Sequence, residues 1–167
     1  MADRSYEAFR CDLGQRESSN NYACKNKWGF LGRWQFGKPR LCDLGLLAKD
    51  RQRSYMWTYG LSDEAFLGNP VLQDAVFDVH VARLRGVALA YFKADLERLT
   101  MSGAIAVMHI QGAGGLRALI AGEDRADALG TPASEYLGLF SGYNIPSTLP
   151  SQLNIPAVLA KAAGQKA

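Results

Sequence analysis

Glu17 is the residue from which chemistry can be built. It closes an apolar-periodic segment, and Ser18, Ser19, Asn20, Asn21 and Tyr22 follow it directly. Behind them runs Trp28-Gly29-Phe30-Leu31-Gly32-Arg33-Trp34-Gln35-Phe36-Gly37, rich in glycine and aromatic residues. A carboxylic acid can protonate a leaving oxygen, while aromatic faces and amides can hold sugar rings beside it. Tyr22, Asn26, Trp34 and Gln35 are the nearest candidates for such contacts, with Ser18 and Ser19 beside the acid. The plainer readings stand next to this one. A glutamate at a helix end is most often a surface residue, and Trp28 and Phe36 suit a core under a hairpin equally well.

The elements that must position these residues can be read from pattern. Tyr6, Phe9 and Leu13 recur at helical spacing, which predicts an amphipathic helix over 4–16 with Glu17 at or just past its last turn. There the helix carbonyls disfavour negative charge, which would raise a carboxyl pKa toward the range a general acid needs. Ser18 to Asn21 compete for backbone hydrogen bonds and should stop the helix. Residues 22–37 lack helical period and read as two or three short strands or an irregular hairpin. A short helix is expected over 38–47, and 48–61 reads as loop with some helix. Ser62-Asp63-Glu64 starts another helix, and Asn69-Pro70 is a cap followed by proline at the first helical position. From there a long helix is expected to about Leu99. Ser102 caps a small-residue helix to Gln111, Gly112-Ala113-Gly114-Gly115 turns, and 116–121 is helical again. Thr131-Pro132 opens a helix to Gly142, after which the chain becomes loop-rich, with a frayed helix from Ala157. The fold class is mainly α with a small β-hairpin insert, in one domain spanning 1–167.

Composition narrows the function classes. Nineteen lysines and arginines against sixteen acids leave +3, too mild alone to imply nucleic acid. Lys25, Lys27, Arg33, Lys38 and Arg40 nevertheless crowd one stretch without acids, either a solvated face or a rim that attracts an anionic polymer. No run is apolar enough to predict a transmembrane helix. The acidic, polar N-terminus does not read as a signal peptide, so synthesis in the cytoplasm is expected. Cys11, Cys24 and Cys42 lack CxxC spacing and a neighbouring His, so free, mostly buried thiols and no metal are expected. His80 lies mid-pattern between valines and reads as packing or solvated. No nucleophile elbow or P-loop occurs, and the glycine turn at 112–115 lacks the preceding strand of a dinucleotide site.

Glu17-Ser18-Ser19 followed by Asn21-Tyr22, then Gly29-Phe30-Leu31-Gly32-Arg33-Trp34-Gln35-Phe36-Gly37, resembles the catalytic segment of the lysozyme-like superfamily. The closest likeness there is to goose-type lysozymes and soluble lytic transglycosylases of phages and secreted bacterial effectors. The resemblance puts the family's acid on Glu17, its serine on Ser18 and its Gly-x-x-Gln motif on Gly32 to Gln35. Asn69-Pro70-Val71-Leu72-Gln73 is similar to the family's helix start, and the segment with His109, Gln111 and the glycine turn is similar to its Ala-x-x-Tyr-Asn-Ala-Gly-Pro segment. His109 stands where tyrosine is usual, and Arg33-Trp34 replaces Leu-Met. The resemblance implies a lysozyme-like helical bundle whose hairpin lies beside the cleft, with Gln73, His109 and Gln111 joining the substrate-binding set.

It also implies the reaction. Peptidoglycan would be cleaved between N-acetylmuramic acid and N-acetylglucosamine, without cofactor, in the periplasm or cell wall after lysis or delivery. An immunity protein or a delivery apparatus would then be the partner; nucleic acid and membrane insertion are not expected. Hydrolysing phage lysozymes often carry Asp nine residues beyond the acid, where this chain has Asn26, and no Asp or Glu lies between Glu17 and Asp43. That favours a single-acid transglycosylase over a two-carboxylate hydrolase, with Asp63, Glu64, Asp124 and Asp127 left as distant bases. The alternative is an inactive lysozyme-like module that binds cell wall in a phage tail or secretion apparatus. A basic nucleic-acid-binding helical protein is more remote, because no helix carries a basic stripe.

Overall fold

The computed structural model of the chain describes residues 4–52, 54–127 and 130–165; the first three residues, which enter the reading of the N-terminus, lie outside these. The described residues are mainly helical with one two-stranded antiparallel hairpin. In order they form α1 (Tyr6–Ser18), α2 (Lys38–Asp43), β1 (Leu47–Lys49), β2 (Tyr55–Trp57), α3 (Asp63–Leu67), α4 (Pro70–Tyr91) and a 3-10 turn (Lys93–Asp95). Then come α5 (Leu96–Leu99), α6 (Met101–Ile120), α7 (Ala133–Leu139) and α8 (Ile155–Gly164).

The chain forms two compact units; two of the three boundaries fall inside helices, after Leu13 in α1 and after His80 in α4, and the third after Thr148 in a loop. The first unit takes residues 1–13 and 81–148. Its centre is α6, whose residues from Ser102 to Met108 are buried. Gly103 lets α7 come close: a Cβ there would meet Leu137 Cδ1 at 2.7 Å and Ser141 Oγ at 2.8 Å. Phe9 packs edge-on against Phe140 and Tyr143. The Tyr143 hydroxyl donates to Asp12 (2.5 Å), and burial, then that carboxylate, push its pKa up.

The second unit takes residues 14–80 and 149–167 and contains the Glu17 segment. Ser62 caps α3 by accepting from Ala65 N–H, and Asn69 accepts from Leu72 N–H where α4 begins at Pro70. Both caps are the expected ones, and at α4 proline takes the first helical position. Leu31, Trp34, Phe36, Leu41, Leu46, Phe66, Leu72, Val76 and Phe77 are buried.

Several boundaries differ from expectation, each for a local reason. The regular two-stranded hairpin lies in the stretch expected to be loop, with Leu47, Ala48 and Lys49 opposite Trp57, Met56 and Tyr55, while 22–37 takes the irregular form of its two expected alternatives. Its turn is closed by Asp50, whose side chain accepts from Ser54 N–H (2.7 Å) and whose own N–H donates to Ser54 O (3.0 Å). Segment 22–37 holds only isolated bridges, Lys25 to Leu31 and Leu31 to Phe36. α2 stops at Asp43 rather than 47. The long helix breaks at Phe92 (φ −131°), so α4, the 3-10 turn and α5 replace one rod to Leu99. α6 is capped by Thr100, not Ser102, and passes the glycine run with a break only at Gly112 (φ 68°, ψ −176°), a conformation that glycine adopts without strain. By length and composition α6 could cross a membrane, contrary to the reading of the sequence; half of that apolar stretch is buried inside the protein. The three cysteines form no disulfide, and against the expectation of mostly buried thiols Cys11 is exposed and Cys24 and Cys42 are half-buried.

Candidate active site around the end of the first helix

Glu17 lies in the last turn of α1 and is half-buried, as is Ser18. Directly behind them Ser19 (φ 57°) and Asn20 (φ 60°) are both left-handed. Such a conformation costs a non-glycine residue roughly 1–3 kcal/mol and persists where the surroundings over-determine it. Here they do. Ser19 N–H donates to Gln15 O and Asn20 N–H to Gly14 O, each at 3.0 Å. The Asn20 amide also donates to Gln15 Oε1 (3.1 Å) and accepts from Arg33 Nε (2.8 Å). Ser18 Oγ donates to Arg33 O at 2.8 Å, so the Gly-x-x-Gln turn is tied to the residue following the acid.

That turn is built from side-chain hydrogen bonds rather than a strand ladder. Gly32 (φ 78°) and Gln35 (φ 49°) take left-handed conformations, and Gln35 donates from both N–H (3.2 Å) and Nε2 (2.9 Å) to Gly32 O. Arg33 N–H donates to Gln73 Oε1 (3.0 Å), while Gln73 Nε2 donates to Tyr22 O and Phe66 O, both at 3.0 Å. The Arg33 guanidinium sits 4.8 Å from the Trp34 ring centre and 5.3 Å from that of Tyr22. It donates to the Tyr22 hydroxyl (2.9 Å), which donates to Asp74 Oδ1 (2.7 Å). Burial first, and then Asp74, push the Tyr22 pKa above its ordinary value.

These contacts change the roles expected for several residues. Trp34 and Gln73 are 0% exposed and Gln35 is 9% exposed. Trp34 stacks on Phe77 at 4.1 Å and 14°, so its ring is core and offers no face to a sugar. Gln73 spends its amide on Arg33 N–H and Tyr22 O, which would otherwise lose their partner at roughly 1–3 kcal/mol each, and Gln35 spends its own on Gly32 O beside its N–H. Phe36, at 2% exposure, is also core. The Asn26 carbonyl oxygen accepts from Trp28 N–H (2.9 Å) and Phe30 N–H (3.0 Å) and so shapes a turn. That turn leaves Trp28 (53%) and Phe30 (41%) exposed, with Lys27 Nζ 4.4 Å from the Trp28 ring centre. The open aromatic faces near the acid in sequence are therefore these two, together with half-exposed Tyr22. Ser19 is exposed.

His109 and Gln111 belong to the other unit. His109 is half-buried in α6, and Gln111 Nε2 donates to Arg125 O (2.7 Å). Of the expected basic rim, Arg33 is buried (9% exposed), Lys25 pairs with Asp63 (2.8 Å) and Arg40 with Asp43 (3.5 Å).

The distant acids are tied up as well. Asp63 accepts from Lys25 and from Trp57 Nε1 (2.8 Å), and the Lys25 contact above all holds its carboxyl below the usual range. Glu64 is lowered by its own backbone N–H and by Ser62, and Asp124 by the Ser134 hydroxyl and N–H. Asp127 accepts from Thr131 N–H (2.9 Å).

Arg33, Asn20, Asp74 and Gly14 are the parts sequence reading did not assemble. One signal was available: Gly14 inside a helix costs about 1 kcal/mol relative to alanine and often marks a close approach. A Cβ at Gly14 would meet Asn20 Oδ1 at 2.5 Å and Arg33 Nε at 2.7 Å.

Compared with known proteins, the chain has no match among family models, curated proteins or solved structures.

Proposed function

We propose that the protein cleaves peptidoglycan glycan strands between N-acetylmuramic acid and N-acetylglucosamine, with Glu17 as general acid and then base, on a lysozyme-like helical fold. The observation that carries this reading is the tie between Ser18 and Arg33: an acid in the last turn of a helix, its following serine bonded at 2.8 Å to a Gly-x-x-Gln turn. Local sequence resemblance thus coincides with a built arrangement, in which a half-buried carboxyl group is framed by an over-determined turn.

In this reading Glu17 gives its proton to the glycosidic oxygen as the C1–O bond breaks. The muramic acid 6-hydroxyl then attacks C1 and returns its proton to the Glu17 carboxylate. No water is consumed, and a 1,6-anhydro sugar results. The hydrogen bonds that already occupy the carboxylates of Asp63, Asp124 and Asp127 support this path over hydrolysis. Trp28 and Phe30 supply ring faces, and Lys27 favours an anionic strand. The reading also implies action in the periplasm or cell wall, with an immunity protein or delivery apparatus as partner.

The test is release of soluble fragments from purified, dye-labelled sacculi by wild type and by Glu17→Gln. Release by wild type that falls by at least two orders of magnitude in the variant is expected. Equal release by both would move the proton donor elsewhere.

A further inference from the structure

We infer that Arg33 is a positioning residue for Glu17, acting through Asn20; the inference rests on the reading of Glu17 as the acid. The last turn of a helix frays unless something ties it down, and Glu17 lies in that turn. What ties it down is the left-handed pair Ser19–Asn20, whose N–H groups return to Gln15 O and Gly14 O. Asn20 is held in turn by Arg33 Nε at 2.8 Å.

Arg33 is itself fixed from several sides. Its carbonyl accepts from Ser18, its N–H donates to Gln73, and its guanidinium lies over the rings of Tyr22 and Trp34. A second guanidinium nitrogen donates to the Tyr22 hydroxyl, which donates onward to Asp74 on α4. The chain of contacts Asp74–Tyr22–Arg33–Asn20 therefore runs from the first turns of α4 to the residues that end α1. Gly14 is the one position on α1 shown to require glycine for this approach. An arginine buried to 9% exposure, next to a turn that most residues disfavour, has a clear use here. It keeps the acid in the geometry that reaction demands, and misplacement by about 1 Å can cost on the order of a hundredfold in rate.

Lysine at position 33 keeps the charge but lacks the planar fork that reaches Asn20 and Tyr22 together. Asn20→Gly removes the Arg33 contact while accepting the left-handed conformation without strain. Tyr22→Phe removes the hydroxyl that joins Arg33 to Asp74 and leaves the Arg33–Asn20 bond in place. The experiment measures, in all three variants, kcat and KM on sacculi fragments and amide hydrogen exchange at residues 17–20, well below each melting temperature. Expected are a fall in kcat of about tenfold or more with KM within about twofold, and exchange at least about tenfold faster at Ser19 and Asn20. Asn20→Gly is decisive, because a merely structural role predicts no loss in a variant whose backbone strain is relieved. Unchanged exchange and unchanged kcat in Asn20→Gly and Arg33→Lys would overturn the inference. Wild type that leaves sacculi intact contradicts the glycan-cleaving reading instead, while the exchange data still decide whether Arg33 holds the turn.

Discussion

Gln73 and Gly32 fit each other so closely that neither position can carry an ordinary side-chain change. A Cβ on Gly32 would stand 2.1 Å from Gln73 Oε1, and Gly32 is also left-handed at φ 78°. Gln73→Ala would strand Arg33 N–H and Tyr22 O, while Phe66 O keeps the N–H of Asn69 (3.1 Å). A loss of about 2 kcal/mol or more is expected, at roughly 1–3 kcal/mol for each buried group left unpaired. Denaturant unfolding of Gln73→Ala and Gly32→Ala measures it; melting curves superimposable on wild type would contradict the arrangement.

Trp34→Ala tests whether that ring is core or sugar platform. Full burial and stacking on Phe77 put it in the core, so unfolding free energy should fall by about 3–5 kcal/mol. A stable variant with raised KM alone would restore the platform reading.

Trp28→Ala should do the reverse. The ring is more than half exposed, so stability should change by no more than about 0.5 kcal/mol. Binding to sacculi in a pelleting assay should weaken about threefold to tenfold, about 0.7–1.4 kcal/mol, and what remains should depend less steeply on salt when Lys27 is also replaced. Unaltered binding would remove the Asn26 turn from the substrate surface.

The Asp63–Lys25 pair sets a pH dependence whose sign follows from its shifts. Asp63 is lowered in the folded protein, so its contribution is present above the ordinary carboxylate pKa and disappears as pH falls through the lowered folded value. Lys25 is raised, so the same contact is also lost as pH rises through its elevated pKa. Lys25 is exposed and Asp63 half-buried, and solvent screening at the lysine keeps the effect small. Melting temperature against pH should show a shallow acid-side loss that Asp63→Asn flattens; an unchanged slope would contradict the pairing.

Much of the fold was legible where a local signal and the tertiary environment agree. Phe9 and Leu13 are fully buried, α1 ends among the residues expected to stop it, and Ser62 and Asn69 cap as their spacing suggests. The hairpin was not legible because its strands are only three residues long and its turn is an aspartate-capped polar loop rather than a glycine hairpin turn. Burial of Gln73 and Gln35 was hidden for another reason. A polar side chain goes inside when backbone groups need partners, and no periodicity announces which groups those are. Trp34 sits in an irregular turn where neither a 3.6- nor a 2-residue period assigns a face. Arg33 looked like part of a basic rim because charge counts carry no information about burial.

The most direct measurement is mass spectrometry of the soluble muropeptides that wild type and Glu17→Gln release from purified sacculi. Wild type should release fragments ending in 1,6-anhydromuramic acid, lighter than hydrolysed fragments by one water, and Glu17→Gln should release essentially none. Reducing ends would contradict the single-acid path and bring Asp63, Glu64, Asp124 and Asp127 back as bases. Intact sacculi after wild-type treatment, or fragments equally abundant with Glu17→Gln, would contradict Glu17 as the acid of a glycan-cleaving enzyme.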